Sequence, residues 1–247
     1  MSSSPNTSTA HLLAAAARIV SDVAHEGRSL DDALQRHGAN TGLSRAALQA
    51  LSFGTLRWYP RLGAWIAMLA SRPVTDMHPQ VHALLAVGLH QLNFSRHPDH
   101  AVGNAVVEAA RVLGQPRAAG FVNAVLRSFL RDREGLNQRV LEKPEGRFAH
   151  TQWLIDAIAA DWPQDWQRIL NANNEAPPMW LRVNRAQGTV QDYLALLAEK
   201  GIAAYASDLT PDGILLAQPV DVAELPGFDT GRVSVQDARA PLAAPLL

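Results

Sequence analysis

The chain has no cysteine. That absence removes disulfides, thiolate-held zinc and a sulfur nucleophile from the chemistry open to it. Lysine is nearly missing as well: residues 1–135 hold thirteen arginines and no lysine. Aromatic residues make up only 6% of the chain. None of the sixteen glycines falls in a G-x-G-x-x-G or Walker pattern, so neither of those phosphate-cradling turns is present. No apolar run nears the roughly 18 residues that a membrane helix needs, so no membrane partner is expected. The opening MSSSPNTST is polar and uncharged. Lacking a basic and then an apolar region, it reads as a disordered tail and not as a signal peptide. A cytoplasmic location is the expectation.

What is present is enough apolar material for a large core: 47% of 247 residues. Such a length suits one large domain or two small ones. Ala and Leu dominate the first half, which favours helix. The net charge of −1 hides an asymmetry. Residues 1–135 carry thirteen bases and nine acids, a balance of +4, and residues 136–247 carry nine bases and fourteen acids, a balance of −5. Two units with different partners follow from that split, with nucleic acid permitted for the first and not required.

The stretch GNAVVEAARVLGQPRAAGFVNAVLRSFLRDR, residues 103–133, organises the first half. It reads as two helices with a tight break. Gly114 suits the residue just past a helix end and Pro116 the first turn of the next. Phe121, Val122, Val125, Leu126, Phe129 and Leu130 form an apolar stripe of helical period. Asn123, Arg127 and Arg131, four apart, share the opposite face. That face is either solvated charge or a phosphate-contacting surface. Its bases are all arginine, whose planar fork meets phosphate oxygens in pairs.

The remaining helices are read in order. Residues 9–26 form the first, stopped by Gly27. Ser29 caps LDDALQRHG, with Asp31 and Asp32 in its first turn. Ser44 opens RAALQALSFGTLRWY, which Pro60 must kink or end. A helix through Leu62, Trp65, Ile66 and Leu69 stops before Pro73. VHALLAVGLHQLNF is apolar nearly all round and hence central. Residues 136–176 are helical and choppier, with Pro163 opening a new helix after Trp162. Beyond Ala176-Pro177-Pro178 the pattern changes. MWLRVN, IAAYA, GILLA and RVSVQD read as strands, TPDG as a turn, and VQDYLALLAEK as a helix boxed by Thr189 and Asp192. The closing DARAPLAAPLL starts like a helix but holds Pro241 and Pro245, with nothing for its apolar side chains to pack on.

Isolated chemistry is thin. His78 and His82 stand four apart, a zinc-compatible spacing, yet no carboxylate is placed to orient them, and no metal site is expected. His97 and His100 flank a helix start. Trp153, Trp162, Trp166 and Trp180 could stack bases, although at helical spacing such residues are core.

Four motifs taken together resemble a known family. FGTLRWYPRL at 53–62, PRAAGFVNAVLRSFLR at 116–131, NNEAPPMWLRVN at 173–184 and LPGFDTGRVSVQDA at 225–238 look like the N-terminal portion of the RsmB (Sun/Fmu) ribosomal RNA cytosine-5 methyltransferases. The first bundle also resembles the antitermination factor NusB. The resemblance implies a mainly α chain. It would hold a NusB-like RNA-binding bundle at 8–135, a helical connector at 136–176 and a small α+β, RRM-like subdomain at 177–237. Residues 238–247 would be the start of a Rossmann-type domain that the chain lacks. That domain would bind S-adenosylmethionine and supply the cysteine thiolate that adds to carbon 6 of cytosine. The chain itself is therefore expected to hold no cofactor, no metal and no catalytic residue.

Small-subunit ribosomal RNA is the implied partner, with a separate catalytic chain as a further one and no DNA. Arg57, Arg61, Arg117, Asn123, Arg127 and Arg131 are the implied RNA contacts. Arg182, Asn184, Gln236 and Asp237 are implied to shape the junction with the catalytic domain. Two other readings stay open: a stand-alone NusB-type module in transcription antitermination, and a non-functional remnant.

Overall fold

A computed structural model describes residues 5–39, 41–71 and 73–246. The chain divides into two compact units, residues 1–174 and 175–247. The mainly α architecture is present, with a small sheet confined to the second unit.

The first unit contains α1 (Pro5–Glu26), α2 (Leu30–Gly38), α3 (Arg45–Arg57), α4 (Tyr59–Leu69), α5 (Pro79–Phe94), α6 (Asp99–Val112), α7 (Ala119–Arg131), α8 (Arg133–Val140), α9 (Pro144–Phe148), α10 (Gln152–Asp161) and α11 (Trp166–Asn173). The helix starts follow the capping residues. Ser29 accepts a hydrogen bond from the Asp32 N–H and Ser44 one from the Ala47 N–H. Each satisfies one of the orphan donors of a first turn. Gly27 and Gly114 end α1 and α6 at φ +68° and +77°, a left-handed conformation that other residues adopt only under strain.

α5 is the central post. Every residue from Val81 to Leu89 is buried, as its all-round apolar sequence requires. It packs against α1, α3, α4, α6 and α7. On the inward side of α7, Val122, Val125, Leu126 and Phe129 are buried. Phe129 sits 5.1 Å from the Trp65 ring, whose indole N–H donates to the Leu136 carbonyl. Burying side chains of this size contributes about 2–3 kcal/mol each.

Three expectations are corrected here. α1 starts at Pro5, inside the segment read as a disordered tail; residues 1–4 of that segment lie outside the described residues. The break after α3 falls at Trp58, and Pro60 sits in the first turn of α4. Proline is tolerated there because a first-turn N–H has no helical partner anyway. After Trp162 the chain makes a turn, and the next helix opens at Trp166, not at Pro163.

The second unit contains β1 (Trp180–Val183), α12 (Val190–Glu199), β2 (Ala204–Ala206), β3 (Gly213–Leu216) and β4 (Val233–Val235). The sheet order is β2-β3-β1-β4 with every pair antiparallel. β3 is inserted between β1 and β2, the two strands that α12 connects, which makes this a split βαβ unit. Leu181, Val183, Ile214, Leu216 and Val233 pack against Val190, Tyr193 and Leu197 of α12. The helix is held at its start by a complete capping box. Thr189 Oγ1 accepts from the Asp192 N–H at 3.2 Å, and Asp192 Oδ2 accepts from the Thr189 N–H at 3.0 Å. The closing segment makes 3₁₀ turns over Ala240–Leu246 and leaves Leu242 48% exposed.

Candidate nucleic-acid interface

The α6–α7 hairpin is fixed by its turn. The Gly114 N–H donates to the Arg111 carbonyl and the Gln115 N–H to the Ala110 carbonyl, both at 2.9 Å. A 3₁₀ turn at Pro116–Ala118 then feeds α7. With its apolar back buried, α7 must present Asn123, Arg127 and Arg131 outward, and all three are exposed. Arg117 is exposed at the approach to the same helix.

The arginines around this hairpin fall into two groups. Arg111 pairs with Glu108 at 2.5 Å, Arg133 with Asp99 at 2.8 Å and Arg139 with Asp132 at 2.7 Å. Arg117, Arg127 and Arg131 have no carboxylate partner among the described residues. Arg131 donates to Ser128 Oγ at 3.3 Å, a contact within its own helix. Two guanidinium groups on one exposed face of α7 and a third at its approach, none paired with an acid among the described residues, leave a local positive field.

Asn123 and Arg127 also line an open groove of about 600 Å³ with Asn104, Val107, Glu108, Arg111 and Val112 of α6 and His11 of α1. Beside it, Arg18 of α1 donates to the Val112 carbonyl at 3.1 Å. Asn104 was missed by sequence reasoning. Its signal was available: positions 104, 108 and 111 are spaced i, i+4, i+7 and so share one face of α6.

The FGTLRWYPRL segment behaves differently. Arg61 Nε donates to the Gly146 carbonyl at 2.6 Å, and its Nη2 to the Arg147 carbonyl. Its guanidinium carbon lies 4.6 Å above the Trp58 ring, and the Trp58 ring stacks on Phe94 at 4.9 Å. Burial lowers the Arg61 pKa from its ordinary value. Arg61 thus serves the bundle, joining α4 to α9, and is not part of the exposed set. Arg57 is half-buried near His90. The His90 imidazole is pushed down to about 4, first by burial and then by the Arg57 charge.

The histidine pair is divided between two tasks. His78 caps α5 by accepting from the Gln80 N–H. His82 is buried and bonds the Tyr59 hydroxyl through Nδ1 at 2.8 Å. Burial, then the neighbouring His25, hold His82 at about 4. Among the tryptophans, Trp153 is 70% and Trp162 59% exposed, so the expectation of core packing fails for both. One turn of α10 on from Trp153, Ala157 is exposed too, and Ile155 is the buried residue of that helix.

In the second unit, Arg182 Nη1 reaches Gln236 Oε1 at 3.4 Å across the β1–β4 pair. Asn184 donates to the Gly231 carbonyl at 3.0 Å and accepts from the Ala186 N–H at 3.1 Å. Asp237 Oδ1 accepts from the Arg239 N–H at 2.8 Å. Each of the four organises backbone or side chains next to it.

Residues 12–131 match the NusB family, and residues 150–223 match a domain described as the ferredoxin-like domain of RsmF/B-like methyltransferases. The ribosomal RNA small subunit methyltransferase B of Pseudomonas syringae pv. tomato is 48% identical over 203 residues, covering 82% of this chain and 45% of the relative. That of Yersinia enterocolitica is 42% identical over 235 residues, covering 94% and 54%. The chain belongs to the RsmB family. It corresponds to an N-terminal portion and spans about half the length of the RsmB relatives it matches. The crystal structure of PH0851 shares the fold, with a TM-score of 0.67 at 15% identity over 99% of this chain and 56% of the other. Within the RsmB portion seen here, the fully antiparallel sheet offers no crevice at the ends of parallel strands, where a nucleoside cofactor would sit. The sheet of the second unit therefore does not fit S-adenosylmethionine in that manner.

Proposed function

We propose that this chain grips ribosomal RNA of the small subunit for an S-adenosylmethionine-dependent cytosine-5 methyltransferase. The observation that carries the reading is the trio Arg117, Arg127 and Arg131. They are exposed and have no acid partner among the described residues, and the buried apolar stripe of α7 holds the last two in place. Such a surface contacts phosphates, and contact with phosphate positions an RNA without reading its sequence. The neighbouring groove, with Asn104 and Asn123 on its walls, accepts a nucleotide lying beside the backbone track. The match at 150–223 favours the methyltransferase over a stand-alone NusB-type module.

Methyl transfer belongs, in this reading, to polypeptide outside the chain. Carbon 5 of cytosine is a weak nucleophile, and activating it takes addition of a thiolate to carbon 6. No residue here can supply one, since cysteine is absent. The same reading places the protein in the cytoplasm, where ribosomal RNA is made in bacteria.

The test combines two measurements on the purified chain. Small-subunit ribosomal RNA is titrated at several salt concentrations, and the same mixture is incubated with labelled S-adenosylmethionine. The expected result is binding whose log affinity falls linearly with log salt, and no label in cytosine. Salt-independent or absent binding sinks the RNA-gripping reading, and label transfer sinks the division of labour.

A further inference from the structure

The groove between α1, α6 and α7 holds an acid where a phosphate-binding slot would hold none. Its lining sets Asn104, Glu108 and Arg111 of α6 beside Asn123 and Arg127 of α7. All five are exposed. Val107 and Val112, also in the lining, are half-buried and give it a partly apolar floor. Glu108 Oε2 accepts from Arg111 Nη1 at 2.5 Å. The volume of about 600 Å³ falls within the roughly 300–1,000 Å³ of sites that take small ligands.

That arrangement sorts the parts of a nucleotide. A carboxylate repels phosphate, so a backbone is turned away from Glu108 and toward Arg127 and Arg131, which have no acid partner among the described residues. The base then faces the groove. A folded domain laid over the groove would strand the Arg127 charge away from water unless it brought its own carboxylate, and burying a lone charge is costly. Within the groove, the polar groups do not treat all bases alike. Asn104 and Asn123 each carry donors and an acceptor and turn to suit any edge. Glu108 only accepts, and its ion pair engages one of two oxygens. Cytosine, adenine and guanine each offer it an exocyclic amino group, whereas a uracil carbonyl in the same place meets a like partial charge.

We propose that this groove takes one unpaired RNA base bearing an exocyclic amino group, with Glu108 as the acceptor that admits the amino group and turns uracil away, and Arg111 as the residue that positions Glu108. The proposal rests on the RNA-gripping reading and adds discrimination between bases, which phosphate contacts along α7 cannot give. Selection here comes from repulsion of the wrong base as much as from attraction of the right one. The base must be unpaired, because pairing engages its amino group and hides its edge.

The experiment uses the full chain and two single-stranded oligoribonucleotides of equal length at neutral pH, one of cytidine and one of uridine. Their rings differ in the group that meets Glu108, an amino group or a carbonyl oxygen. The parent binds the cytidine strand at least about 5-fold more tightly. Glu108→Gln brings the two affinities together, since a carboxamide either accepts from the amino group or donates to the carbonyl. It does so by tightening the uridine strand, whereas a variant damaged in folding would weaken both. Asn123→Trp, which fills the groove, abolishes the preference and keeps the salt slope. Arg127→Ala weakens both strands alike, lowers the slope and keeps the preference. If Glu108→Gln or Asn123→Trp retains the parent's preference, the discrimination lies elsewhere and the proposal is overturned. If the parent binds both strands equally, with affinity that falls with salt, base selection is overturned and the RNA reading survives. If the parent binds neither strand, both fall. If Glu108→Gln leaves RNA affinity unchanged and turns a self-associated chain into a monomer, the groove seats a second copy and the proposal is overturned.

Discussion

Arg61 of α4 donates from Nε to the carbonyl oxygen of Gly146 in α9, 85 residues further along the chain. The bond makes an arginine in a basic motif into a tie between two helices. Arg61→Lys keeps the charge and loses the fork, so it is expected to destabilise the first unit by about 1–3 kcal/mol. Chemical denaturation checks the stability, and a salt titration of RNA binding should give the parent's slope. A lowered slope with unchanged stability would place Arg61 on the RNA surface instead.

On α7 the expectation is reversed. Replacing Arg127 and Arg131 with Ala removes two exposed, acid-free guanidinium groups. Stability should hold within about 0.5 kcal/mol. The log–log salt slope of RNA binding should flatten by about one unit per lost phosphate contact. Arg111→Ala, taken from a residue already paired with Glu108, should change the slope less.

Two glycines give opposite signs for the same substitution. A Cβ on Gly146 would stand 2.1 Å from the Val140 carbonyl oxygen, so Gly146→Ala must push backbone aside and cost about 1–3 kcal/mol. A Cβ on Gly63, inside α4, meets nothing within 4 Å. Gly63→Ala should stabilise by about 0.5–1 kcal/mol through helix propensity. Thermal or urea midpoints of the two variants decide it.

Acid should loosen the bundle through its buried imidazoles. His82 and His90 are both held at about 4, below the ordinary 6.5, chiefly by burial. The unfolded chain therefore takes up protons at these sites before the folded one does. Their contribution to stability is intact above about pH 6.5 and falls as pH drops toward 4. Between pH 7 and pH 5 each removes on the order of 1–2 kcal/mol. His82→Gln, compared with the parent by urea denaturation at those two pH values, should show the smaller loss. An equal loss in both would remove His82 from this account.

The helix ends were legible because they are written in single residues. Ser29, Ser44 and the Thr189–Asp192 box each announce a start, and Gly114 a stop, by chemistry that acts within four residues. The buried back and exposed front of α7 were equally legible, since both follow from the period of one helix. The fate of Arg61 was not. Its partners are backbone carbonyls, which every residue carries, so no residue type in the sequence points to them. The insertion of β3 between β1 and β2 was hidden for a related reason: strand pairing is a long-range choice, and the short apolar runs do not encode their neighbours. Trp153 and Trp162 misled because helical spacing signals a face without saying whether anything covers it.

The outer strands of the sheet, β2 and β4, are three residues long each. So short a border offers a passing chain only one or two ladder hydrogen bonds, too few to repay the entropy of ordering it. The small unit is thus protected against fibre-like growth from its rims.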